Sequence, residues 1–249
     1  MQSLQDAPIL WFDELDSTNA EGRRRAEAGE GGPVWIAARR QTAGRGRRGR
    51  AWETGQGSLA ATLLLTTSRP PAEAAQLSFV TAFAIREMAA AFAPAHLIRL
   101  KWPNDVLLAG GKLSGVLIES GRAHERLWLA IGIGVNLASA PTGLEYPAAC
   151  LAAHLAPGIS PPSPEQALER LRPAFAALAG LWDERGFEPL RREWEGLAIG
   201  LGEPCTARLG ERTIEGVAEG LDRDGALLLR LASGGLERIT AGDVFFGAS

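Results

Sequence analysis

The stretch TAGRGRRGRAW, residues 42–52, places four arginines and three glycines in the seven positions 44–50. Glycine lets backbone N–H groups approach an anion closely, and a guanidinium donates paired hydrogen bonds to phosphate oxygens. The stretch is neither a P-loop nor a dinucleotide-binding motif, because GKS/T is missing and no G-x-G-x-x-G opens a helix. Alone it is compatible with a solvated loop, a nucleic-acid contact, or a loop that closes over a phosphate-bearing small molecule.

The composition limits these alternatives. The 249 residues are 46% hydrophobic and 22% charged, which is typical of a globular protein with ample core. The net charge is −3, so no overall positive field draws the chain toward nucleic acid. Basic character is local, since six arginines and no acid lie between Ala37 and Trp52. A nucleic-acid-binding module that uses Arg45 to Arg50 stays an alternative, and its affinity would fall steeply with salt.

Metal, thiol and membrane chemistry have little support in the sequence. Cys150 and Cys205 are far apart and the three histidines are scattered, so neither a zinc site nor a Cys/His nucleophile pair is indicated. We therefore expect no dedicated protein metal cluster. The N-terminus lacks the pattern of a secretion signal, and the most apolar stretch, Leu59 to Leu65, is too short to span a bilayer. These features predict a cytoplasmic protein without a membrane partner.

Nearly all basic side chains are arginine. The chain has 24 Arg and two lysines, Lys101 and Lys112. Asparagine is also scarce, at Asn19, Asn104 and Asn136. Four of these five residues fall between positions 101 and 136. A lysine in so arginine-rich a chain indicates a place where a compact, flexible ammonium is needed and a planar guanidinium does not serve.

Hydrophobic periodicity predicts an alternation of strands and helices. A short strand at Leu10–Leu15 leads into a helix whose N-cap is Ser17 or Thr18, with Glu21 at capping-box spacing from Thr18. Further elements are strands at 33–41 and 57–67, a long helix at 72–93, and extended segments at 96–102, 105–120 and 126–138. The segment 105–120 contains a two-residue hairpin signal at Gly110–Gly111. A helical region follows at about 164–194.

The composition changes near Leu201. Residues 204–247 read as short strands separated by glycine turns, which predicts a small β-barrel of SH3 size. We therefore expect two domains, a larger one at 1–200 and a C-terminal barrel at 201–249.

Four further motifs carry candidate residues, and three of them have two interpretations. LDSTN (15–19) is a helix cap or a set of hydroxyls for a small polar ring. KWPND (101–105) is a turn or part of a site, and in GKLSGVLIE (111–119) the lysine follows a hairpin. In GIGVN (132–136) the asparagine reads an adenine edge or caps the ladder. Together with the Arg-Gly stretch they suit ATP and a small polar ligand, and no Ser/His/Asp triad or acid pair competes with that reading.

The five motifs in this order closely resemble the biotin protein ligases, which attach biotin to carboxylase carrier domains. The resemblance extends from about Leu10 to the C-terminus. It implies an α/β (α+β) fold: a mixed-sheet catalytic domain of the class II aminoacyl-tRNA synthetase type, with a small C-terminal SH3-like β-barrel. Lipoate ligases share the fold, but their arginine motif leads into a serine-glycine run that is absent here. A lipoate- or octanoate-transferring enzyme stays the nearer alternative.

The resemblance implies a two-step reaction with ATP, biotin and Mg²⁺. The carboxylate of biotin attacks the α-phosphate of Mg-ATP, giving biotinyl-5′-AMP and pyrophosphate. A lysine of the biotin carboxyl carrier protein then attacks the mixed anhydride and releases AMP. Because a carboxylate is already nucleophilic at neutral pH, we expect catalysis by positioning and electrostatic stabilisation.

The resemblance also implies roles for individual residues. Lys112 and Arg47 are the expected catalytic residues; Lys112 would touch both the biotin carboxylate and the α-phosphate, and Arg47 would retain the intermediate. The expected biotin-binding residues are Ser17, Thr18, Asn19, Gln41, Gly115 and Lys112. The expected adenylate-binding residues are Arg45, Gly46, Arg47, Trp52, Asn104 and Asn136, with Trp52 stacking near the adenine and Asn136 reading it. Asp105, with Asn104, would position the metal-phosphate or the acceptor lysine.

Some members of the family carry a DNA-binding helix-turn-helix before the DSTN motif. Here about fifteen residues precede it. We therefore expect a ligase alone that does not bind DNA, rather than a biotin-responsive repressor. The resemblance leaves the identity of the carrier, and the choice between monomer and homodimer, open.

Overall fold

A seven-stranded mixed sheet forms the centre of the larger part of the chain in the computed structural model, which describes residues 4–123, 126–144 and 146–247. The strands are β1 (Ile9–Leu15), β2 (Val34–Gln41), β3 (Leu59–Thr67), β4 (Ile98–Lys101), β5 (Asp105–Leu108), β6 (Gly111–Ala123) and β7 (Arg126–Val135). Their order is β1-β2-β3-β7-β6-β5-β4. Only β1 and β2 pair in parallel among these strands, and the other neighbours are antiparallel. The predicted mixed sheet is confirmed.

Helices cover both faces of this sheet. They are α1 (Thr18–Glu27), α2 (Pro71–Ala74), α3 (Leu77–Ala90), α4 (Pro164–Arg185) and α5 (Glu188–Leu197). Alternate residues of β2 point to opposite faces, as the two-residue period of a strand requires. Trp35 belongs to the large core with α3 and α4, whereas Ile36 packs in a smaller core beside Ala26 of α1. Because the first five residues of β2 are buried on both faces, the sequence from Val34 to Ala38 is continuously apolar.

The helix boundaries differ from the prediction in two places. The region predicted as one helix at 72–93 is divided into α2 and α3, and the buried Gln76 lies between them. The Gln76 side chain accepts a hydrogen bond from Trp182 Nε1 at 2.9 Å, so it ties the break to α4. The helical region at 164–194 is divided at Gly186, whose φ of 70° ends α4.

The hairpin between β5 and β6 turns one residue earlier than predicted. Ala109 and Gly110 have φ values of 50° and 85°, the positive angles that a tight two-residue hairpin turn requires. Gly111 instead begins β6, and a Cβ there would lie 2.9 Å from the backbone carbon of Ala148. The second glycine therefore allows close packing of the neighbouring segment rather than the turn.

The C-terminal strands form a separate five-stranded antiparallel sheet in the order β11-β10-β9-β8-β12. These strands are β8 (Pro204–Leu209), β9 (Arg212–Leu221), β10 (Leu227–Arg230), β11 (Leu236–Ile239) and β12 (Asp243–Phe246). The predicted C-terminal β-structure is confirmed, while the boundary between residues 200 and 201 stays a prediction. Trp102 Nε1 donates to the carbonyl of Gly225 at 3.0 Å, which fastens this sheet to the larger one beside the KWPND motif.

No helix in the described part of the chain combines the length and the apolarity that crossing a membrane requires.

Candidate active site

A cavity of about 350 Å³ lies where the start of α1, the ends of β2 and β7, the 42–52 loop and the first residues of β12 meet. That volume lies in the range of small-molecule sites. Residues predicted for the site that line this cavity are Ser17, Thr18, Asn19, Gln41, Arg45, Gly46, Arg47, Trp52, Asn104, Asp105, Lys112 and Gly115. The fold thus brings together side chains that are up to about a hundred residues apart in sequence.

One end of the cavity is neutral and rich in hydrogen-bonding groups. Ser17 is extended at the N-cap of α1, and its Oγ accepts from the N–H of Ala20 at 3.5 Å. Thr18 does not cap the helix as the capping-box spacing predicted. Its N–H donates to Gln41 Oε1 at 2.8 Å, and Gln41 Nε2 donates to Thr54 Oγ1 at 3.0 Å. These bonds fix the Gln41 amide across the start of α1.

Asn19 lies beneath this neutral end and turns into the protein. Its Nδ2 donates to the carbonyl of Leu117 at 3.2 Å and to Glu119 Oε2 at 2.8 Å. Its Oδ1 accepts from Thr62 Oγ1 at 2.7 Å. Because both N–H groups and the carbonyl of the amide already have protein partners, Asn19 is better placed to support the neighbouring hydroxyls than to contact a ligand.

The 42–52 loop folds back on itself beside the other end of the cavity. Gly46 N–H donates to the carbonyl of Arg50 at 2.7 Å, and Trp52 N–H donates to the carbonyl of Gly44 at 2.9 Å. A Cβ on Gly44 would lie 2.3 Å from the Trp52 carbonyl oxygen, so this close approach requires glycine. The glycines of the motif therefore shape the loop, while its guanidinium groups remain available for contacts.

Three arginines of the loop contact the C-terminal sheet and its neighbours, and we call this set of contacts the loop latch. Arg47 donates to Asn104 Oδ1 at 3.0 Å and to the carbonyl of Gly242 at 3.1 Å. Arg48 pairs with Asp243 at 3.1 Å, and Arg50 pairs with the same carboxylate. The latch joins the loop to a segment almost two hundred residues away.

The latch is reflected in the pKa values of its members. Burial acts to raise the pKa of Asp243, but the hydrogen bonds from Arg50 and Arg48 outweigh it and hold that pKa below its ordinary value. Burial lowers the pKa of Arg47, while the charges of Asp243 and Asp105 oppose this change. Arginine stays protonated even so, and the half-buried Arg47 guanidinium at the cavity wall attracts any anion that enters.

Lys112 is part of the cavity wall. Its Nζ is 2.7 Å from Asp105 Oδ1, and both side chains are less than one-fifth exposed. The pairing of β5 with β6 shifts by one residue between Val106 and Leu107, a bulge that redirects side chains near a strand end. A Cβ on Gly115 would lie 3.3 Å from Nζ, so the missing side chain leaves room for the ammonium.

Two aromatic rings flank the same ammonium. The Lys112 Nζ lies 5.9 Å from the centre of the Trp52 ring and 5.4 Å from that of Tyr146. Rings at these distances attract a cation weakly and help to fix its direction.

Two glycines of the GIGVN motif make room for side chains of the site. A Cβ on Gly132 would lie 2.2 Å from Asn19 Oδ1, and a Cβ on Gly134 would lie 2.2 Å from the Trp52 ring. The close approach that these glycines allow is therefore to side chains of the protein. Gly132 supports the neutral end, and Gly134 supports the aromatic ring beside Lys112.

Asn136 does not line the cavity, in contrast to the prediction that it reads the adenine. Its Nδ2 donates to the carbonyls of Lys112 at 3.3 Å and Ala149 at 3.2 Å, and the residue is buried. An amide at a strand end looks the same in sequence whether it contacts a ligand or the backbone. Here it fixes the main chain that carries Lys112.

Sequence reasoning missed several residues of the cavity wall. Examples are Lys101, Tyr146, Asp243 and Phe245. Lys101 carried a signal, since it is one of only two lysines. Burial lowers its pKa, the charge of Asp105 opposes this change, and its ammonium lies 5.8 Å from the centre of the Phe245 ring.

The charge of the cavity differs from that of the whole chain. Its described wall contains five cationic side chains, Arg45, Arg47, Arg50, Lys101 and Lys112, and two carboxylates, Asp105 and Asp243. The chain as a whole has a net charge of −3. Among the described residues no group of three or more His, Cys, Asp or Glu side chains could hold a metal ion. The cavity is therefore suited to an anionic, phosphate-bearing ligand with a neutral polar head.

Comparison with known proteins finds biotin protein ligases that are similar to this chain over nearly its whole length. Residues 11–136 match the biotin/lipoate A/B protein ligase family, and residues 200–247 match the biotin protein ligase C terminal domain. A biotin–[acetyl-CoA-carboxylase] ligase of Paracoccus denitrificans is 44% identical over 245 residues, which are 93% of this chain and 98% of that protein.

Solved structures are similar as well. Biotin protein ligase from Aquifex aeolicus in complex with biotin and ATP has a TM-score of 0.78 at 28% identity, covering 97% of this chain and 99% of that one. Biotin protein ligase from Leishmania major in complex with biotinyl-5-AMP has a TM-score of 0.66 at 25% identity, with coverage of 94% and 99%. The resemblance that the five motifs predicted is confirmed.

Proposed function

The chain belongs to the biotin/lipoate A/B protein ligase family, and on that premise we propose that it activates biotin with ATP and transfers it to a lysine of a carrier protein. The observation that carries this proposal is the division of one cavity into a neutral end and a cationic end, with Lys112 between an aspartate and two aromatic rings. Biotin has a neutral ureido ring at one end and a carboxylate at the other, and the adenylate adds a phosphate.

Ser17, Thr18 and Gln41 hold the ureido ring in this proposal. Their hydroxyl and amide groups are fixed at the start of α1 by bonds within the protein. The valeryl chain then runs along β6 past Gly115 toward Lys112. A ligand held by both ends has its carboxylate fixed relative to the α-phosphate, which supplies most of what a bimolecular attack requires.

Lys112 and Arg47 are the proposed catalytic residues. In the first step the carboxylate oxygen forms a bond to the α-phosphorus, and the bond to the pyrophosphate oxygen breaks. Negative charge develops on the α-phosphate oxygens, where the Lys112 ammonium and the Arg47 guanidinium stabilise it. Arg45, Gly46 and Trp52 border the adenylate, and Asn136 supports Lys112 through the backbone. The loop latch keeps the intermediate in the cavity.

Mg²⁺ fits this site as an ion that enters with ATP. Nucleotide sites commonly hold Mg²⁺ by one or two carboxylates together with phosphate oxygens and water. Asp105 and Asp243 are carboxylates of the cavity wall, and each already faces a cation of the protein. Asp105, beside Asn104, is the better placed to contribute a ligand. When bound, the ion neutralises charge on the phosphate oxygens.

The second step transfers biotin to the carrier. The amine of the acceptor lysine attacks the carbonyl carbon of the mixed anhydride, and AMP leaves with the bonding electrons. Asp105 is the proposed group that orients this amine, since its carboxylate lies at the cavity wall. The partner is a biotin carboxyl carrier protein, and we propose the cytoplasm as the compartment, which suits two cysteines that form no disulfide. We place the domain boundary at residues 200 and 201.

The test is ATP–pyrophosphate exchange by the purified protein with biotin, with lipoate, or with neither. We expect exchange that requires biotin. In Lys112→Ala we expect exchange to fall about 100- to 1000-fold, the loss typical of removing one charge-stabilising group. Arg223→Ala, which removes an exposed cation outside the cavity wall, is the matched control and should leave the rate unchanged. Exchange supported only by lipoate would overturn the substrate, and exchange with neither would overturn the enzyme activity.

A further inference from the structure

Thr62 lies directly behind the neutral end of the cavity and has no place in the roles described above. It is a residue of β3 with no exposed surface, and it does not belong to the cavity wall. Its Oγ1 lies 2.8 Å from Thr18 Oγ1 and 2.7 Å from Asn19 Oδ1. A buried hydroxyl with two short contacts and one proton must divide them between donating and accepting.

The donor and acceptor of each hydrogen bond can be assigned by starting from the backbone carbonyl of Leu117. The carbonyl of Leu117 can only accept, so the Asn19 group that faces it is the NH₂ group. The second hydrogen of that group goes to Glu119. Asn19 Oδ1 therefore faces Thr62, and because it carries no proton, the Thr62 proton must lie in that bond.

The Thr62 oxygen is then free only to accept from Thr18. The Thr18 proton has two acceptors within the protein, Thr62 Oγ1 at 2.8 Å and Gln41 Oε1 at 3.2 Å. Because the Thr62 proton is directed to Asn19, the 2.8 Å contact between the two hydroxyl oxygens requires the Thr18 proton, which therefore points to Thr62 and not into the cavity. The Thr18 oxygen thus presents lone pairs to a ligand, and Gln41 Oε1, which already accepts the N–H of Thr18, does the same.

We infer that Thr62, held by Asn19 and Glu119, is a specificity-determining positioning residue that makes the neutral end an acceptor site for ring N–H donors. This inference rests on the proposed function and deepens it. A cyclic urea supplies N–H donors to two acceptors. A ring that offers a sulfur or an ether oxygen at the same position leaves a desolvated acceptor unpaired, which is costly.

The test pairs a change in the protein with a change in the ligand. The ligands are biotin and its two cyclic carbamate analogues, in each of which a ring oxygen replaces one N–H. Their dissociation constants are measured by titration calorimetry on the wild-type protein and on Thr62→Val, which keeps the shape of the side chain and removes the hydroxyl. We expect wild-type protein to prefer biotin about tenfold or more over one analogue, the one whose oxygen faces Thr18.

In Thr62→Val we expect this preference to fall to about twofold, while the preference over the other analogue stays as in the wild type. Thr62→Ser restores the hydroxyl and should restore the preference. Thr66→Val makes the same change four residues further along β3, outside the cavity wall, and should leave both preferences intact. A purely structural role for Thr62 would weaken all three ligands equally, and that result would overturn the inference.

Glu119→Ala provides a second route if Thr62→Val does not fold. Glu119 is half-buried, and its removal loosens Asn19 from the other side. We expect the same preference to fall about threefold, and an unchanged preference would count against the inference. Wild-type protein that binds biotin and shows no preference for it over either analogue would overturn the inference and leave the proposed function standing. Wild-type protein that binds lipoate and not biotin would defeat the proposed function and the inference together, because a dithiolane ring has no N–H.

Discussion

The two ends of the cavity are built from different kinds of interaction. At the neutral end, Thr18, Asn19 and Thr62 are almost completely buried, and their contacts are hydrogen bonds between fixed groups of α1 and the sheet. At the charged end, Arg48 and Arg50 are 38% and 51% exposed and reach Asp243 from a loop. Buried hydrogen bonds are costly to leave unmade, whereas exposed ion pairs contribute little and are screened by salt. The neutral end is therefore formed before a ligand arrives, and the charged end can open.

One strand supports both ends. Gly132 and Gly134 of β7 lie two residues apart and so on the same face of the sheet. The first leaves space for the Asn19 amide, and the second leaves space for the Trp52 ring. The two positions allow the ends of the cavity to be disturbed one at a time by the same small change.

We expect Gly132→Ala and Gly134→Ala to have the largest effects, each on a different end of the cavity. The new methyl group at 132 would clash with the Asn19 amide, which is held by hydrogen bonds on all sides. We therefore expect KM for biotin to rise about 10- to 100-fold and KM for ATP to change little. The methyl group at 134 would displace Trp52, so we expect the opposite pattern, at about tenfold. Overpacking of this kind typically costs 1–3 kcal/mol. Both constants follow from ATP–pyrophosphate exchange.

Gly180→Ala is the control for these two variants. Gly180 lies within α4, and a Cβ there meets no neighbouring atom within 4 Å. If Gly132→Ala and Gly134→Ala raised the two KM values in equal proportion, the two ends would not be independent, and the comparison would fail.

Asp243→Asn should have a smaller effect because it removes only the exposed pairs of the loop latch. Arg48 and Arg50 lose their common carboxylate, while Arg47 keeps its bonds to Asn104 and Gly242. We expect bound biotinyl-5′-AMP to leave about threefold faster, as measured by rapid dilution into unlabelled ligand. Raising the salt concentration should bring the wild-type rate toward that of the variant.

Asp224→Asn is the matched control for Asp243→Asn. Asp224 pairs with Arg223 and Arg238 on the same sheet, outside the cavity wall. Release that is insensitive both to Asp243→Asn and to salt would show that the loop closes without its ion pairs.

Sequence reasoning found residues of the cavity wall at both ends but missed the residues that hold them in place. Ser17 and Thr18 stand at a helix start that local pattern identifies, and Lys112 stands out because the chain has only two lysines. Asp243 had no such signal, because it reaches the loop only through the packing of a distant sheet. Thr62 had none either, since threonine is ordinary in a strand and its partners are fixed only by the fold. Local pattern and the family resemblance therefore pointed to residues that line the cavity, and tertiary packing determines what holds them.

Lys101 offers the finest test of the charged end, through the dependence of KM for ATP on pH. Burial lowers the pKa of Lys101; the charges of Asp105 and Asp243 and the ionisation of Cys205 oppose this change, and the Lys112 charge reinforces it. The ammonium therefore loses its charge at a lower pH than an exposed lysine. Since the charged form is the one that attracts phosphate, KM for ATP should rise, by about threefold, as the pH increases toward 10.

Lys101→Arg keeps the positive charge at every pH in this range, so its KM for ATP should stay flat where that of the wild type rises. KM for biotin should show no such rise in either protein, because Lys101 belongs to the charged end and the described residues of the neutral end, Ser17, Thr18, Asn19 and Gln41, carry no titratable group. A biotin KM that followed the same pH curve would mean that the charge at Lys101 reaches both ends. The two ends of the cavity would then not be independent, and the cavity would behave as one electrostatically continuous site.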